Sequence, residues 1–399
     1  MKSGWAIKKL GEVCEASNGL WKGKKGPFRK IAVLRSTNFT KECQLDLSDV
    51  VYIDVESRLL PRKLLREGDI IIEKSGGGPR QPVGRPVYFD KNVGEYSFCN
   101  FTSMLKVADS DVLPLYLHRC LYYLYVSGAT ESLQSYTIGL RNLDFKGYLD
   151  LDIPIPPLAE QKRIVAKIDA AFEKIDKLKA NAERNLANAK ELFQSALDEA
   201  MRPKDGWVEK RLGEVCKTTS GGTPIKSHRE YYEDGNIPWL RSGEVCCKDI
   251  IKSEMFITEL GLRNSSAKIM PKNTVLIAMY GATAAQTGIL RFESATNQAI
   301  CGILPDKYFE PEFLYYYFRT IQRQLAARAQ GGAQPNISQE KIKDTLVPIL
   351  PLSEQREIVK HLDLLAEKIK ILEQNYTKQI ADCVEMRQAV LREAFEGRL

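Results

Sequence analysis

The sequence predicts an α+β protein made of one unit used twice. Each unit is a globular domain followed by a long helix, and the two helices pack on each other as an antiparallel coiled coil. Three observations lead there. A motif recurs: Trp5 opens a stretch containing Leu10-Gly11-Glu12-Val13-Cys14, and Trp207 opens one containing Leu212-Gly213-Glu214-Val215-Cys216. A proline-rich hinge recurs too, and between Pro154–Asp169 and Pro348–Asp363 nine of sixteen positions are identical. Finally, the texture of the chain alternates twice between turn-rich and turn-free. A repeat this long points to one architecture with a pseudo-twofold relation and to a two-part target.

The order of parts follows from these marks. Residues 1–155 form the first globular domain, 156–204 the central helix, 205–348 the second globular domain and 349–399 the C-terminal helix. The globular segments carry short β-type runs: Ile31-Ala32-Val33-Leu34, Asp69-Ile70-Ile71-Ile72, Thr274-Val275-Leu276-Ile277-Ala278 and Ala299-Ile300-Cys301-Gly302-Ile303-Leu304. Clusters such as Gly76-Gly77-Gly78-Pro79 and Gly221-Gly222-Thr223-Pro224 punctuate them. Each domain also holds a short Tyr-rich amphipathic helix, around Leu115–Val126 and Glu312–Arg328. Strands and helices are mixed in this way in α+β domains.

Residues 158–201 and 352–396 are nearly free of glycine and proline and keep heptad spacing. In the first, Val165, Phe172, Lys179, Leu186, Phe193 and Ala200 fall at a, and Ile168, Ile175, Ala182, Ala189 and Ala196 at d. A shift of 194 residues gives Val359, Ala366, Glu373, Ile380, Arg387 and Ala394, with Leu362, Ile369, Tyr376, Cys383 and Val390. Pro157 and Pro351 suit the first helical turn, and Glu160 and Glu354 suit the positive end of the helix dipole. About 44 residues at 1.5 Å each make a rod of about 66 Å. One apolar seam needs a partner. If two equal units close on themselves, the second helix runs back along the first.

Composition bounds the function. At 399 residues with 44% apolar and 27% charged content, the chain has the make-up of a soluble protein of two or three domains. No stretch approaches the ~20 apolar residues of a membrane span. Met1-Lys2-Ser3-Gly4-Trp5 has no apolar run, so no signal peptide is expected. Nine scattered cysteines without a C-x-x-C pair fit a reducing cytoplasm rather than a disulfide or zinc scaffold. Cys14 and Cys216, at equivalent repeat positions, read as core residues. The net charge is +7, and its excess lies mainly outside the helices: residues 1–157 carry 22 basic and 18 acidic groups, while residues 349–399 carry 8 and 9. That balance fits a polyanionic partner and equally a mildly basic protein without one. There is no Asn-Pro-Pro-Tyr or Asp-Pro-Pro-Tyr, no Walker motif, no H-E-x-x-H and no G-x-S-x-G. Pro305-Asp306 lacks a following E-x-K, so no nuclease site is read. No catalysis is expected of this chain alone.

In this order of parts the chain resembles the specificity subunits of type I restriction-modification systems. The resemblance covers essentially the whole chain and rests first on Ile155-Pro156-Pro157-Leu158-Ala159-Glu160-Gln161 and Ile349-Leu350-Pro351-Leu352-Ser353-Glu354-Gln355. Supporting marks are Ser220-Gly221-Gly222-Thr223-Pro224, Tyr280-Gly281-Ala282-Thr283, Asn297-Gln298 and Pro335-Asn336-Ile337-Ser338. In the first half the marks are degenerate: Ser75-Gly76-Gly77-Gly78 stands for the Gly-Ala-Thr loop, and Arg141-Asn142-Leu143 for Pro335-Asn336-Ile337. The resemblance implies a cytoplasmic, non-catalytic reader of double-stranded DNA. Each globular domain would be a target recognition domain for one half of a bipartite, asymmetric site. The helices would fix the unread spacer and dock two methyltransferase (modification) subunits, which restriction and motor subunits join. S-adenosylmethionine, ATP and Mg²⁺ would belong to those partners, and no cofactor or metal to this chain.

Cations would then clamp phosphates, while Arg, Asn and Gln read base edges. In the first domain the candidates are Lys22, Lys24, Lys25, Arg29 and Lys30, five cations in nine residues. Lys74, Arg80, Gln81 and Arg85 flank the Gly-rich loop, and Tyr136 and Arg141 precede the hinge, with Ser135 and Asn142 beside them. In the second domain they are Thr223, Lys226, His228 and Arg229, then Tyr280, Thr283, Gln286 and Thr287, then Gln330, Gln334 and Asn336. Bland readings stand beside these: a solvated basic loop, a simple glycine turn, and for Arg35 and Arg241, which share Leu-Arg-Ser, a structural cation against a carboxylate. At the level of the whole chain, a coiled-coil scaffold without DNA recognition is the alternative. An unrecognised nuclease is the third reading, which cutting of plasmid by the purified chain with Mg²⁺ would revive.

Overall fold

A computed structural model describes residues 5–20, 25–78, 81–137, 139–327 and 336–396. It divides into two compact units, residues 1–183 with 377–399 and residues 184–376. The long helices, Leu158–Ala200 and Leu352–Phe395, each give a stretch to both units. The class is the α+β mixture that the sequence predicts.

The first unit is tied shut at its base. Ala6–Lys9 pairs antiparallel with Asp152–Ile155, the strand that runs into the hinge. The principal sheet is antiparallel, in the order Cys14–Asn18, Thr102–Val107, Ile70–Glu73, Pro86–Tyr88. Ile70–Glu73 is wholly buried because both faces of this sheet are covered. Side chains alternate across a strand. Ile70 and Ile72 therefore enter a core shared with the helix Pro114–Val126, while Ile71 enters a second core with Leu34, Val87 and Phe98. That second core is closed by an outer sheet in the order Val51–Glu56, Phe28–Leu34, Tyr96–Phe98.

The second unit repeats the plan. Val208–Arg211 pairs antiparallel with Leu346–Ile349. A five-stranded sheet runs Thr218–Ser220, Ile300–Ile303, Val275–Ala278, Thr287–Leu290, Asp249–Ile250. Val275 and Ile277 face the helical core, while Leu276 and Ala278 face a smaller one with Leu240 and Ile250. The Tyr-rich helix differs from expectation in the second unit. It ends at Thr320, and a separate helix covers Gln322–Ala327. At the break the Thr320 hydroxyl donates to the Tyr316 carbonyl at 3.1 Å, so a side chain competes for the backbone ladder.

The heptad seam is where the sequence places it over the middle of both helices: Ile168, Phe172, Ile175, Ala182, Ala189, Phe193, Leu362, Ile369 and Cys383 are buried. At the ends it moves. Ile164, Leu197 and Met201 are fully buried, and Val165, Ala196 and Ala200 only partly so. A 3.6-residue helix drifts against a 3.5-residue repeat, and its ends pack on globular cores. Within the first unit, Arg387 lies 4.2 Å from the Phe172 ring centre and donates to both Asp176 oxygens at 2.5 and 2.6 Å. Lys179 reaches Glu42 at 2.9 Å. Within the second, Phe193 and Leu197 share a core with Leu362 and Ile369. Both sets of contacts fit helices running in opposite directions.

The hinge motif has a physical reason. Pro157 and Pro351 stand one place ahead of the first helical residue, not inside the first turn. The Pro157 carbonyl accepts from the Glu160 and Gln161 amides, and the Pro351 carbonyl from those of Glu354 and Gln355. Gln161 and Gln355 are fully buried. Gln161 donates to the carbonyls of Pro156 (2.8 Å) and Asp111 (2.7 Å) and accepts from the Leu113 amide (2.8 Å). Gln355 donates to Leu350 (3.0 Å) and Tyr308 (2.7 Å) and accepts from the Glu310 amide (2.9 Å). One amide thus joins the hinge, the start of the long helix and the loop entering the Tyr-rich helix.

Arg85, read from sequence as a DNA contact, is instead a core residue. It is 5% exposed and grips Glu73, itself 1% exposed, through Nε (2.7 Å) and Nη2 (2.9 Å). Its remaining donors go to the carbonyls of Phe39 (2.6 Å) and Ser36 (3.2 Å). A guanidinium bound bidentately and satisfied by backbone oxygens has nothing left for an outside phosphate.

Two stability predictions follow from these buried groups. Gln355→Ala strands one amide and two carbonyls in a dry site, and is expected to lower the unfolding free energy by about 3 kcal/mol. Arg85→Met leaves the Glu73 carboxylate buried and unpaired, for a similar loss of about 3 kcal/mol. Urea denaturation measures both, and wild-type midpoints would refute the roles given to these side chains.

Candidate nucleic-acid interface

The strand directions bring one set of loops together in each unit. In the second unit, Thr218–Ser220 and Val275–Ala278 run parallel to each other on either side of the antiparallel Ile300–Ile303. Their C-terminal ends therefore meet the N-terminal end of Ile300–Ile303. Three loops converge there: Gly221–Pro224, Met279–Gln286 and Asn297–Ala299. The first packs by close backbone approach. A Cβ on Gly221 would stand 2.1 Å from the Thr296 carbonyl oxygen, and one on Gly222 2.3 Å from the Ala267 nitrogen. The Trp239 indole donates to the Gly222 carbonyl at 2.9 Å, and the Tyr232 hydroxyl to that of Pro224 at 2.6 Å.

These contacts shape a cleft of about 580 Å³. Thr223, Lys226, Arg229, Arg241, Asn297 and Gln298 line it, with Trp239 and Tyr232 among its aromatic walls. The Thr223 hydroxyl donates to the Gln298 carboxamide oxygen. Arg241 pairs with Glu254 at 2.7 Å, and Arg35 in the first unit pairs with Asp49 at 3.0 Å, so both Leu-Arg-Ser cations hold a carboxylate. His228 lies on Tyr231, ring centres 4.8 Å apart, with Nδ1 2.7 Å from a Glu230 oxygen. That neighbour holds the Glu230 carboxyl below its usual range.

Beside the cleft, Tyr280 bridges to Asn336, and the Ile337 amide donates to the Met279 carbonyl at 2.9 Å. Ser338 then caps the following helix, accepting from the Lys341 amide. Thr283 closes the intervening turn on the Tyr280 carbonyl at 3.2 Å, and the Gln286 carbonyl accepts from the Ala278 amide at 2.9 Å. Gly281 (φ +71°) and Ala285 (φ +68°) make that turn possible. Thr287, just beyond it, is buried in its strand.

The first unit builds the same end with other side chains. The Leu143 amide donates to the Lys74 carbonyl at 2.8 Å, as Ile337 does to Met279. Ser75 pairs with Asn142, as Tyr280 bridges to Asn336, and Asp144 takes the capping place of Ser338. The Gly-rich strand Ser75–Gly77 joins a three-stranded sheet with Leu140–Leu143 and Gln134–Thr137. In it Arg141 stands opposite both Gly77 and Tyr136. Tyr136 is 58% exposed. Gln81 closes the loop against Gly78, its carboxamide oriented to accept from Arg85 at 3.0 Å. Lys74 donates to the Asn18 side chain at 2.7 Å. Burial, with Lys63 nearby, holds its ammonium below the ordinary lysine range.

Lys74, Gln81, Tyr136 and Arg141 are thus brought to one end of the first unit. Thr223, Lys226, Arg229, Tyr280, Thr283, Gln286 and Asn336 are brought to one end of the second, with His228 on the adjoining turn. Lys25, Arg29 and Lys30 are exposed but set apart. Arg29 and Lys30 open the strand Phe28–Leu34, four or five residues or about 15 Å from its end at Leu34. Arg29 pairs there with Glu95. Lys22, Lys24, Arg80, Gln330 and Gln334 lie outside the described residues. Sequence reading did not single out Asn18, which accepts from Lys74 and Ser103 at this end. Carrying the Leu-Gly-Glu-Val-Cys register forward one strand would have placed Asn18 opposite Ser220. Among the described residues no group of three or more His, Cys, Asp or Glu side chains could hold a metal ion, and no helix is long and apolar enough to cross a membrane.

Known proteins share this plan. The family profile described as Type I restriction modification DNA specificity domain matches residues 2–186 and again 204–381. The chain is 28% identical over 254 residues to the specificity subunit of the Escherichia coli type I restriction enzyme EcoR124I/EcoR124II, an alignment covering 60% of this chain and 61% of that protein. It is 25% identical over 312 residues to the EcoBI specificity subunit of Escherichia coli, covering 69% and 64%. It thus spans less than two thirds of either relative. With the EcoKI specificity subunit of Escherichia coli K12 it shares 23% identity over 446 residues, 100% of this chain and 90% of that one. The fold is that of a chain solved for complex assembly and conformational transition of the type I R-M system, with TM-score 0.81, 20% identity and coverage of 100% and 99%. The HsdS subunit from Thermoanaerobacter tengcongensis matches with TM-score 0.58, 20% identity and coverage of 100% and 98%. The chain belongs to the family of type I restriction-modification DNA specificity domains and carries that domain twice.

Proposed function

We propose that this chain is the DNA sequence-specificity subunit of a type I restriction-modification complex. It reads a bipartite, asymmetric site in double-stranded DNA, one globular domain per half-site. It has no catalysis of its own. Its helices dock two methyltransferase subunits, and S-adenosylmethionine, ATP and Mg²⁺ are used by the partners.

The observation that carries this reading is the shared end of the principal sheets. In both units the same backbone positions gather there, yet their side chains differ: Lys74 against Met279, Ser75 against Tyr280. A common frame with unlike side chains, Ser75 against the exposed Tyr280 and Lys74 against the buried Met279, suits unlike half-sites. Lys226, Arg229, Lys74 and Arg141 supply charge for phosphates, and the carboxamides supply paired donors and acceptors for base edges. Docking is supported by apolar side chains left in water along the rod. Leu178 and Val384 in the first unit and Leu192, Leu364 and Ile371 in the second are all at least 43% exposed. Two readers on one face of a duplex must stand whole turns apart, about 34–36 Å each, and continuous helices of 43 and 44 residues have the stiffness to impose it.

Charge reversal at Lys226 and Arg229 is expected to weaken DNA binding and to flatten the plot of log affinity against log salt by about 1.8, two phosphate contacts at ~0.9 each. Titration at several salt concentrations measures this, and binding indifferent to salt would refute the proposal. Seven residues inserted after Ala182 keep the seam in phase and add about 10 Å, so the recognised spacer should grow by about three base pairs. Single-molecule mapping of methylated sites in cells with the partner subunits reads this out. An unchanged spacer would show that the helices are not the ruler.

A further inference from the structure

Two tight turns stand at equivalent places on the end proposed to face DNA; the second carries Gln298 of the cleft, and the first has no role assigned so far. In the first unit the turn is Cys99-Asn100-Phe101-Thr102. The Thr102 amide and hydroxyl both donate to the Cys99 carbonyl, at 3.0 and 2.8 Å. In the second unit it is Asn297-Gln298-Ala299-Ile300. The Ile300 amide donates to the Asn297 carbonyl at 3.3 Å, and the Ala299 amide to the Asn297 side chain at 3.2 Å. Their equivalence is fixed by bonds on both sides. Cys99 donates to the Leu34 carbonyl at 2.9 Å and Asn297 to that of Leu240 at 2.8 Å. Lys74 donates to the Phe101 carbonyl at 2.8 Å and Met279 to that of Ala299 at 2.8 Å.

The backbone of each turn is therefore held from three directions, while Phe101 in the first and Gln298 in the second are exposed; Ala299 is buried. The tips differ in kind. Each begins with a carboxamide, Asn100 or Gln298. The second residue is a 50%-exposed phenylalanine in the first unit and an alanine in the second. The Lys74 amide is bonded to the Phe101 carbonyl of the first tip, and Thr223 donates to the Gln298 oxygen at the second. A carboxamide can accept from N6 of adenine while donating to N7, and an apolar ring can cover the C5-methyl of thymine. A phenyl group half-exposed on a turn whose backbone is held on both sides has the form of a probe for such a methyl.

We infer that the tip Asn100–Phe101 reads an A·T pair in the first half-site, with Phe101 against the thymine methyl, and that Gln298 is the base-reading residue of the equivalent tip in the second. This rests on the DNA-reading role proposed above.

The test uses the chain with its methyltransferase partner. Methylated motifs mapped by single-molecule sequencing first give the wild-type half-sites. Duplexes carrying that motif are then made with deoxyuridine replacing each thymine of the first half-site in turn. Wild-type complex is expected to lose about fourfold in affinity at one of these positions, the worth of one buried methyl. Phe101→Ala should be indifferent to the same replacement. Asn100→Gln with Phe101→Ala, which installs the other tip, should alter the first half-site alone, the second half-site and spacer staying as they were. Indifference of the wild type to every such replacement, or an unchanged motif in the double variant, overturns the role of the turn while leaving the specificity reading intact. A wild-type complex with no split motif dependent on this chain overturns both.

Discussion

A single buried carboxamide in each unit holds the architecture together. Gln161 and Gln355 each satisfy two carbonyls and one amide from segments far apart in sequence. A buried amide with three partners fixes direction as well as position, because each bond must be met at once. The long helix is thereby welded to the domain it leaves. The Tyr-rich helix begins where the same side chain pins its entry, and it covers one face of the principal sheet. The weld adds direction to the apolar packing that already joins each rod to its own unit, through Ile168 and Phe172 in the first and Phe193 and Leu197 in the second.

The divergence of the two units is the other side of this constraint. Strands buried on both faces, such as Ile70–Glu73 and Val275–Ala278, exchange one enclosed side chain for another, and Glu73, held by Arg85, stands where the second unit has Ala278. Just beyond them Lys74 stands for Met279 and Ser75 for Tyr280. Among these diverging positions Tyr280 turns outward, while Met279 stays in the core.

Much of this was legible in the sequence because it is written locally. The Trp segment, the hinge and the heptads each repeat within a few residues, and a seam of period 3.5 names its own buried positions. Pairing of non-adjacent segments was not legible. Arg85 looked like a loop cation until Glu73, Phe39 and Ser36 were seen to enclose it. Asn100 and Phe101 carried no motif, and only the hydrogen bonds of Lys74 and Cys99 reveal that they stand where Gln298 and Ala299 do. Arg29 and Lys30 belonged by charge to the basic loop, yet the strand direction sets them apart from the sheet end.

The pairing of Val208–Arg211 with Leu346–Ile349 has a genetic consequence. It places the entry and exit of the second globular domain side by side. The hinge copies, alike at nine of sixteen positions, bracket the central helix together with this domain. Unequal crossing-over between gene segments encoding those copies would excise or duplicate one globular domain with one helix, in frame and at a point where the protein already tolerates a junction. The repeat has the layout that such an exchange requires, with one hinge copy at each end of a helix-plus-domain unit.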